Sequence, residues 1–323
     1  MLTAPVRMEM MQQEITGRIP AAPTRAVHRR KRPSWGYIKM MTLLGVLLYC
    51  AILIAPLFLS VYYSFTNMNL LKASSDFVGF RNYVNLAKDP TFSSSLSFTI
   101  KISILVTLCV NVLGLIIAML LNHTGRFFAF LRTVFFVPQV LSAVIISFIW
   151  SIMFSARNGI INTLLQQVGL LQQGQNIAWI GDPQLAFYSV GVVTIWQLLG
   201  FCVVVYLAAL QGIPEDLKDA ARVDGANLWQ SFRHVTFPLL APGVTINVVL
   251  ILIMTLKIYD VVVVLTAGGP GGATESLGFY IVRMAFGANK TGYASAMAVV
   301  LFILIAAISA LLAGYLRRRE VEY

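Results

Sequence analysis

Six continuous apolar runs, at about 40–64, 99–121, 133–154, 185–211, 239–266 and 294–316, constrain this chain more than anything else in it. A bilayer core of about 30 Å is crossed by about 20 helical residues, so each run is long enough to span. The runs are continuous rather than alternating, which argues against a membrane β-barrel. Only 11% of the 323 residues are charged and 58% are hydrophobic, against about 25% charged in a soluble domain. The expected fold is an all-α integral membrane protein with six transmembrane helices.

The net charge of +11 does not form one basic face. Its clusters, RAVHRRKR in the leading tail and RRR at 317–319, flank apolar runs and speak to topology, not to nucleic acid. With the N-terminus placed in the cytoplasm, the inner segments hold sixteen Lys and Arg and the outer segments six, with Lys101 and Lys257 inside runs. Both termini are therefore expected in the cytoplasm, the protein being multi-pass in a plasma (inner) membrane. Residues 1–39 read as a disordered basic cytoplasmic tail, 40–319 as the transmembrane domain, and 320–323 as a cytoplasmic end. The first run is too long for a signal peptide and follows a long polar tail, so it reads as an anchor. Cys50, Cys109 and Cys202 lie within apolar runs, and His28, His123 and His234 lack ligand spacing, so neither a disulfide framework nor a metal site is expected.

Between the fourth and fifth runs the chain turns polar: PEDLKDAARVDGANLWQSFRHVTFPLLAPG, residues 214–243. Four acidic residues (Glu215, Asp216, Asp219, Asp224) and three basic ones (Lys218, Arg222, Arg233) fall here. Pro214 suits a first helical position, and Glu215 and Asp216 complement the positive end of a helix dipole. Leu217, Ala220 and Ala221 make a narrow apolar stripe, opposite a polar face with favourable charge spacings. Asp224-Gly225 breaks that helix, Gly tolerating a left-handed cap. Asn227, with Gln230 three residues on, can cap a second short helix, which Phe237-Pro238 would end. Such a pair, at about 214–236, could lie on a membrane surface or serve as a knob for a protein socket.

The stretch DAARVDGANLWQSFRHVTFP resembles the cytoplasmic signature of binding-protein-dependent ABC importer permeases: Glu-Ala-Ala, three residues, Gly, nine residues, Ile, any residue, Leu-Pro. Asp219, Ala220, Ala221, Gly225, Val235, Phe237 and Pro238 stand at those positions, with Asp for Glu, Val for Ile and Phe for Leu. FVGFRNYVNLAKDPTFSSSLSFTIKIS, LRTVFFVPQVLSAVIISFIW, GIINTLL and LTAGGPGGATESLGFYIVRMAFG are similar to the carbohydrate-uptake branch, of maltose and glycerol-phosphate type. The resemblance covers about residues 43–319. It implies the six-helix permease fold of type I ABC importers, without a catalytic or nucleotide site of its own. It implies partners as well: a second related permease, two ATPase subunits that bind ATP and magnesium, and an extracytoplasmic solute-binding protein that delivers a carbohydrate. Glu215, Asp219, Ala220, Ala221, Gly225, Val235 and Pro238 would then couple the chain to the ATPase.

Polar groups within spans are costly and face a bundle interior or cavity. Asn111, Trp196, Gln197, Asn247, Lys257, Tyr259 and Asp260 are the candidates for a substrate path. Each alone is better explained as interhelical glue, so the pocket rests on the set, and Lys257 and Asp260 are spaced to neutralise each other. A stand-alone secondary transporter would use that pair for ion coupling, but matched interrupted repeats are not evident. GANKT, residues 287–291, lacks the glycine before lysine and the strand-to-helix setting of a phosphate loop. The Gly-rich TAGGPGGATES, residues 266–276, reads as a tight extracellular turn.

Overall fold

The computed structural model describes residues 35–72, 75–318 and 320. The expectations for residues 1–34, 319 and 321–323 lie outside the described residues. In chain order the helices are α1 Lys39–Ser64, α2 Arg81–Ala87, α3 Pro90–Leu121, α4 Arg126–Val140, α5 Ala143–Met153, α6 Ile160–Gln167 and α7 Pro183–Gln211. They continue as α8 Glu215–Val223, α9 Leu228–Leu239, α10 Ala241–Leu256, α11 Asp260–Leu265, α12 Leu277–Gly287 and α13 Thr291–Arg317. Helical backbone already begins at Trp35, so the last residues assigned to a disordered tail are helical.

Among the described residues, α1, α3, α7 and α13 are each long and apolar enough to cross a membrane. The third and fifth spans, expected as straight runs, are broken. α4 and α5 meet at 97°, and α9 and α10 at 64°. The first break follows Pro138, which removes a backbone donor. Leu141 is extended, and the Ser142 hydroxyl accepts the Ile145 N–H at 3.3 Å to start the next helix. The fifth run also stops at Leu256 and resumes at Asp260, leaving Lys257–Tyr259 outside helix. The second span starts at Pro90, not at 99.

Contacts divide the chain at Ile54–Ala55. In the larger unit, α3 and α7 form the central pair. α10 packs on both, α4 packs on α7, and α11 packs on α5. α13 packs on α10 and on the Ala55–Ser64 stretch. Ile102, Val106 and Val110 of α3 and Val190, Val193 and Tyr206 of α7 are buried in one apolar cluster. The outward faces of the same helices carry exposed Ile104, Leu108, Leu120 and Val192. Apolar exposure on this scale suits surfaces that meet lipid or another apolar protein, not water.

Small residues allow the close approach. A Cβ placed on Gly114 of α3 would lie 2.6 Å from Cys202 Sγ of α7, and one on Gly200 would strike the Phe135 carbonyl oxygen of α4. At the α3–α4 turn, Arg132 donates to the carbonyls of Leu121 (2.8 Å) and His123 (2.6 Å), placing a cation at the negative end of α3.

Gly200→Leu forces the α4 backbone away and is expected to cost about 1–3 kcal/mol, the usual range for overpacking. Thermal unfolding in detergent checks this, with Gly45→Leu as the control, because a Cβ at Gly45 meets nothing within 4 Å.

Candidate functional site

The polar segment folds into two short helices at a fixed angle. Pro214 is the N-cap of α8 and not its first helical residue. Glu215 and Asp216 occupy the first turn and Arg222 the last, each at the end of the dipole that favours its sign. Asp219 and Arg222 pair at 2.9 Å, but both side chains are largely exposed, so the pair adds little stability.

The turn after α8 is more strongly specified. Gly225 has φ +76, its N–H donates to the Arg222 carbonyl at 3.0 Å, and the Ala226 N–H donates to the Ala221 carbonyl at 2.9 Å. These are the two hydrogen bonds of a Schellman cap. A Cβ at Gly225 would meet nothing within 4 Å, so the requirement for glycine is conformational, not steric. Asn227 and Gln230 then form a reciprocal capping box, with both hydrogen bonds at 2.9 Å.

α9 continues beyond the expected stop. Phe237–Leu239 are helical after a wide turn at Phe232–Thr236, and the bend falls at buried Leu240. Pro238 and Pro242 bracket the bend, and each lacks an N–H. Val235 and Pro238 are half-buried on this rising arm. A file of rings, Trp229–Phe232 at 5.7 Å and Phe232–Phe237 at 5.8 Å, joins the tip of the pair to the bend.

The apolar stripe read from the sequence is mostly open. Ala221 is buried, but Ala220 and Leu217 are exposed. Beside them lie three apolar side chains that sequence reasoning passed over: Val223, 87% exposed, Leu228, 88%, and Trp229, 68%. They flank the Gly225 turn, and their signal was available: large apolar residues beside Asp-Gly-Ala-Asn. Together they give the charged segment an apolar tip, the kind of surface that marks a protein contact.

The intramembrane candidates separate into groups. Asn111 accepts the Tyr206 hydroxyl at 2.8 Å and donates to the Thr107 carbonyl at 2.8 Å, joining α3 to α7. Asn247 donates to the Cys202 carbonyl at 3.2 Å, joining α10 to α7, while its own oxygen is buried without a partner. Trp196 is 39% exposed on α7, edge-on to Trp150 of α5 at 5.8 Å, and the neighbouring Gln197 is half-buried. Lys257, Tyr259 and Asp260 fall at the α10–α11 break. Lys257 and Asp260 do not neutralise each other: the ion pairs among the described residues are Asp219–Arg222 and Glu275–Arg283. Lys257 ends one helix and Asp260 begins the next, so each complements a helix terminus instead.

At the far end of the bundle, the contacts of Asp89 and the Glu275–Arg283 pair escaped the sequence reading, although the Gly-rich turn itself did not. Asp89 caps α3 by accepting the N–H groups of Thr91 and Phe92, and its other oxygen accepts the hydroxyls of Tyr280 (2.6 Å) and Tyr293 (2.7 Å). Burial alone would push this carboxyl up, but the two tyrosine hydroxyls and two backbone N–H groups outweigh it and hold the group below its ordinary value. The Gly-rich loop is closed by Thr274, which donates to the Gly269 carbonyl. Glu275 is buried and meets Arg283 at 2.8 Å; burial raises its carboxyl above the ordinary range, against the pull of Arg283.

A bundle of apolar helices with a capped, apolar-tipped polar elbow between two spans is the architecture of a membrane-embedded protein. Residues 110–321 match the family described as binding-protein-dependent transport system inner membrane component, and the chain belongs to that family. It is 35% identical to the probable starch degradation products transport system permease of Thermoanaerobacterium thermosulfurigenes, over 87% of this chain and 93% of that one. It is 30% identical to the trehalose/maltose transport system permease of Thermococcus litoralis, over 84% of this chain and 89% of that one. A crystal structure of a bacterial ABC transporter importing alginate contains a chain with the same fold: TM-score 0.76, 22% identity, covering 88% of this chain and 96% of that one. The chain is thus a transporter subunit, a permease of the binding-protein-dependent ABC importers, in which the ATPase is a separate chain.

Two outcomes follow. Asn227→Ala removes one side of the capping box, at a cost of about 1 kcal/mol, and should speed hydrogen exchange of the Leu228–Ser231 amides about fivefold. Because the Asp89 carboxyl is lowered in the folded state, its stabilisation is complete above the ordinary carboxylate pKa and is lost as pH falls through the lowered value. Asp89→Asn should therefore lower the midpoint of unfolding at neutral pH and flatten its decline below about pH 4.

Proposed function

We propose that this chain is one of two permeases in an ATP-driven importer of carbohydrate, with both termini in the cytoplasm. A separate extracytoplasmic protein delivers the sugar, and a second, related permease completes the path. α8 and α9 enter a cleft on one of two ATPase chains, which bind ATP and magnesium. The apolar tip around Gly225 carries this reading: Val223, Leu228 and Trp229 stand exposed on a charged segment that already occupies the register of the family signature.

The chemistry of coupling is mechanical. A turn held by a Schellman cap on one side and a capping box on the other transmits a push without folding up. The ring file from Trp229 to Phe237 leads that push to the bend at Leu240, and so to α10. α10 is hydrogen-bonded through Asn247 to α7, which is bonded through Tyr206 to α3. Closure of the ATPase chains on nucleotide would move the elbows of the two permeases together and open the path outward; hydrolysis would reset it.

The substrate is a carbohydrate on the strength of relatives named for starch products, trehalose and maltose, and multiple sugars. Trp196, Gln197, Lys257, Tyr259 and Asp260 mark its path; Asn111 and Asn247, expected there as well, are buried between helices and hold α3, α7 and α10 together instead. Trp196 offers a ring face for a sugar, and Gln197 offers an amide for hydroxyls. Lys257, Tyr259 and Asp260 place polar side chains where the fifth span is broken.

The test is the assembled complex in proteoliposomes. Trp229→Ala is expected to weaken ATPase association by roughly 2 kcal/mol, about thirtyfold, as for a central aromatic anchor. Gly225→Val should leave membrane insertion intact while uncoupling ATP turnover from sugar uptake. Normal coupled uptake in both variants would refute the docking role.

A further inference from the structure

A seam between α10 and α13 borders the coupling arm at Phe237 and Pro238 and has no role assigned to it above. Two hollows meet there and share Thr245. One, of about 380 Å³, is lined by Arg233, His234, Phe237, Pro238 and Leu316 among others. The second, of about 240 Å³, runs along Ile246, Val249, Leu250 and Ala313 and ends at Arg317. The groove is apolar along the spans and cationic where they end.

We propose that this seam holds one anionic phospholipid, its acyl chain against Ile246, Val249, Leu250 and Ala313 and its phosphate between Arg233, His234 and Arg317. Three observations converge on that occupant. First, Arg317 ends the membrane-length helix α13, Arg233 and His234 lie on the arm that leads into α10, and Ile246, Val249, Leu250 and Ala313 lie within the spans. Second, neither arginine forms an ion pair among the described residues. Glu320, whose N–H bonds the Arg317 carbonyl at 3.1 Å, makes no carboxylate pair with it. Third, among the described residues no acidic side chain lines either hollow. A groove that is apolar in depth and cationic at its mouth matches an acyl chain bearing a phosphate; a neutral lipid would leave the cations uncompensated, and a free phosphate would leave the apolar part empty. Since Arg233 and His234 belong to the arm that rises from the coupling pair, a bound lipid would brace that arm against α13.

The experiment is native mass spectrometry of the purified complex, released from detergent with added phosphatidylglycerol or phosphatidylethanolamine. The expected result is selective retention of one phosphatidylglycerol per chain. Arg233→Gln and Arg317→Gln should each weaken retention about fivefold, and Ala313→Phe should abolish it by filling the groove without changing charge. Size-exclusion elution and circular dichroism establish that each variant is folded. Equal retention of the two lipids by the unaltered complex would overturn the proposal. So would unchanged phosphatidylglycerol retention in folded Arg233→Gln and Arg317→Gln, or an Ala313→Phe variant that loses a protein subunit but keeps its lipid, since the seam would then be a protein contact.

Discussion

Inside a bilayer no water can satisfy a backbone group, so a chain of this composition may leave helical geometry only where something else completes its hydrogen bonds. That constraint organises the whole structure. At the α4–α5 break the Ser142 hydroxyl takes the Ile145 N–H. At Leu240 the bend is shallow enough that its N–H still reaches the Thr236 carbonyl at 3.0 Å, and its own carbonyl takes the Val244 N–H at 2.9 Å. Between α10 and α11 the freed Ile258 carbonyl accepts the Ser276 hydroxyl at 2.7 Å, and the next amide, Leu277 N–H, donates to Thr99 Oγ1 of α3 at 2.8 Å. The first two breaks thus close their hydrogen bonds locally and the third ties to α3 and the start of α12, so the breaks are joints between parts instead of weak points.

Those joints connect the two ends of the larger unit. One end carries the elbow of α8 and α9, specified almost entirely by local bonds and leaving its apolar residues outward. The other carries Asp89, Tyr280 and Tyr293, which tie the start of α3 to α12 and α13. Between them the asparagines at 111 and 247 bind α3, α7 and α10 into one block. In the proposed coupling, a displacement of the elbow would reach the core through α10, whose lower end bends at Leu240 and whose upper end breaks at Lys257.

How much of this was legible in the sequence depends on whether the signal was local. The elbow was readable nearly residue by residue, because Asp-Gly, Asn with Gln three residues on, and the charge order each act within one helical turn. Its exact start was not: Pro214 is the cap, and α9 runs through Phe237-Pro238 because the wide turn at Phe232–Thr236 precedes the proline, which lacks a donor only near the helix end. The spans were visible as apolar runs, but their breaks were hidden, since Leu141 and Ile258 remain apolar while their backbone departs from helix. The start of α3 was missed because PTFSSSLSF reads as polar loop, although Asp89-Pro90 is a helix-start signal. Asp89–Tyr280, Asp89–Tyr293 and Tyr206–Asn111 join residues far apart in sequence, which no periodicity reports.

The central claim is that the exposed tip beside Gly225 is a contact with the ATPase. A photo-activatable cross-linker placed at Leu228, in the full complex assembled in membranes, tests it most directly. The expected product is one adduct between this chain and the ATPase chain, with a yield that changes between nucleotide-free and ATP-bound states. Adducts to lipid alone, in a complex that still couples ATP turnover to sugar uptake, would contradict the claim.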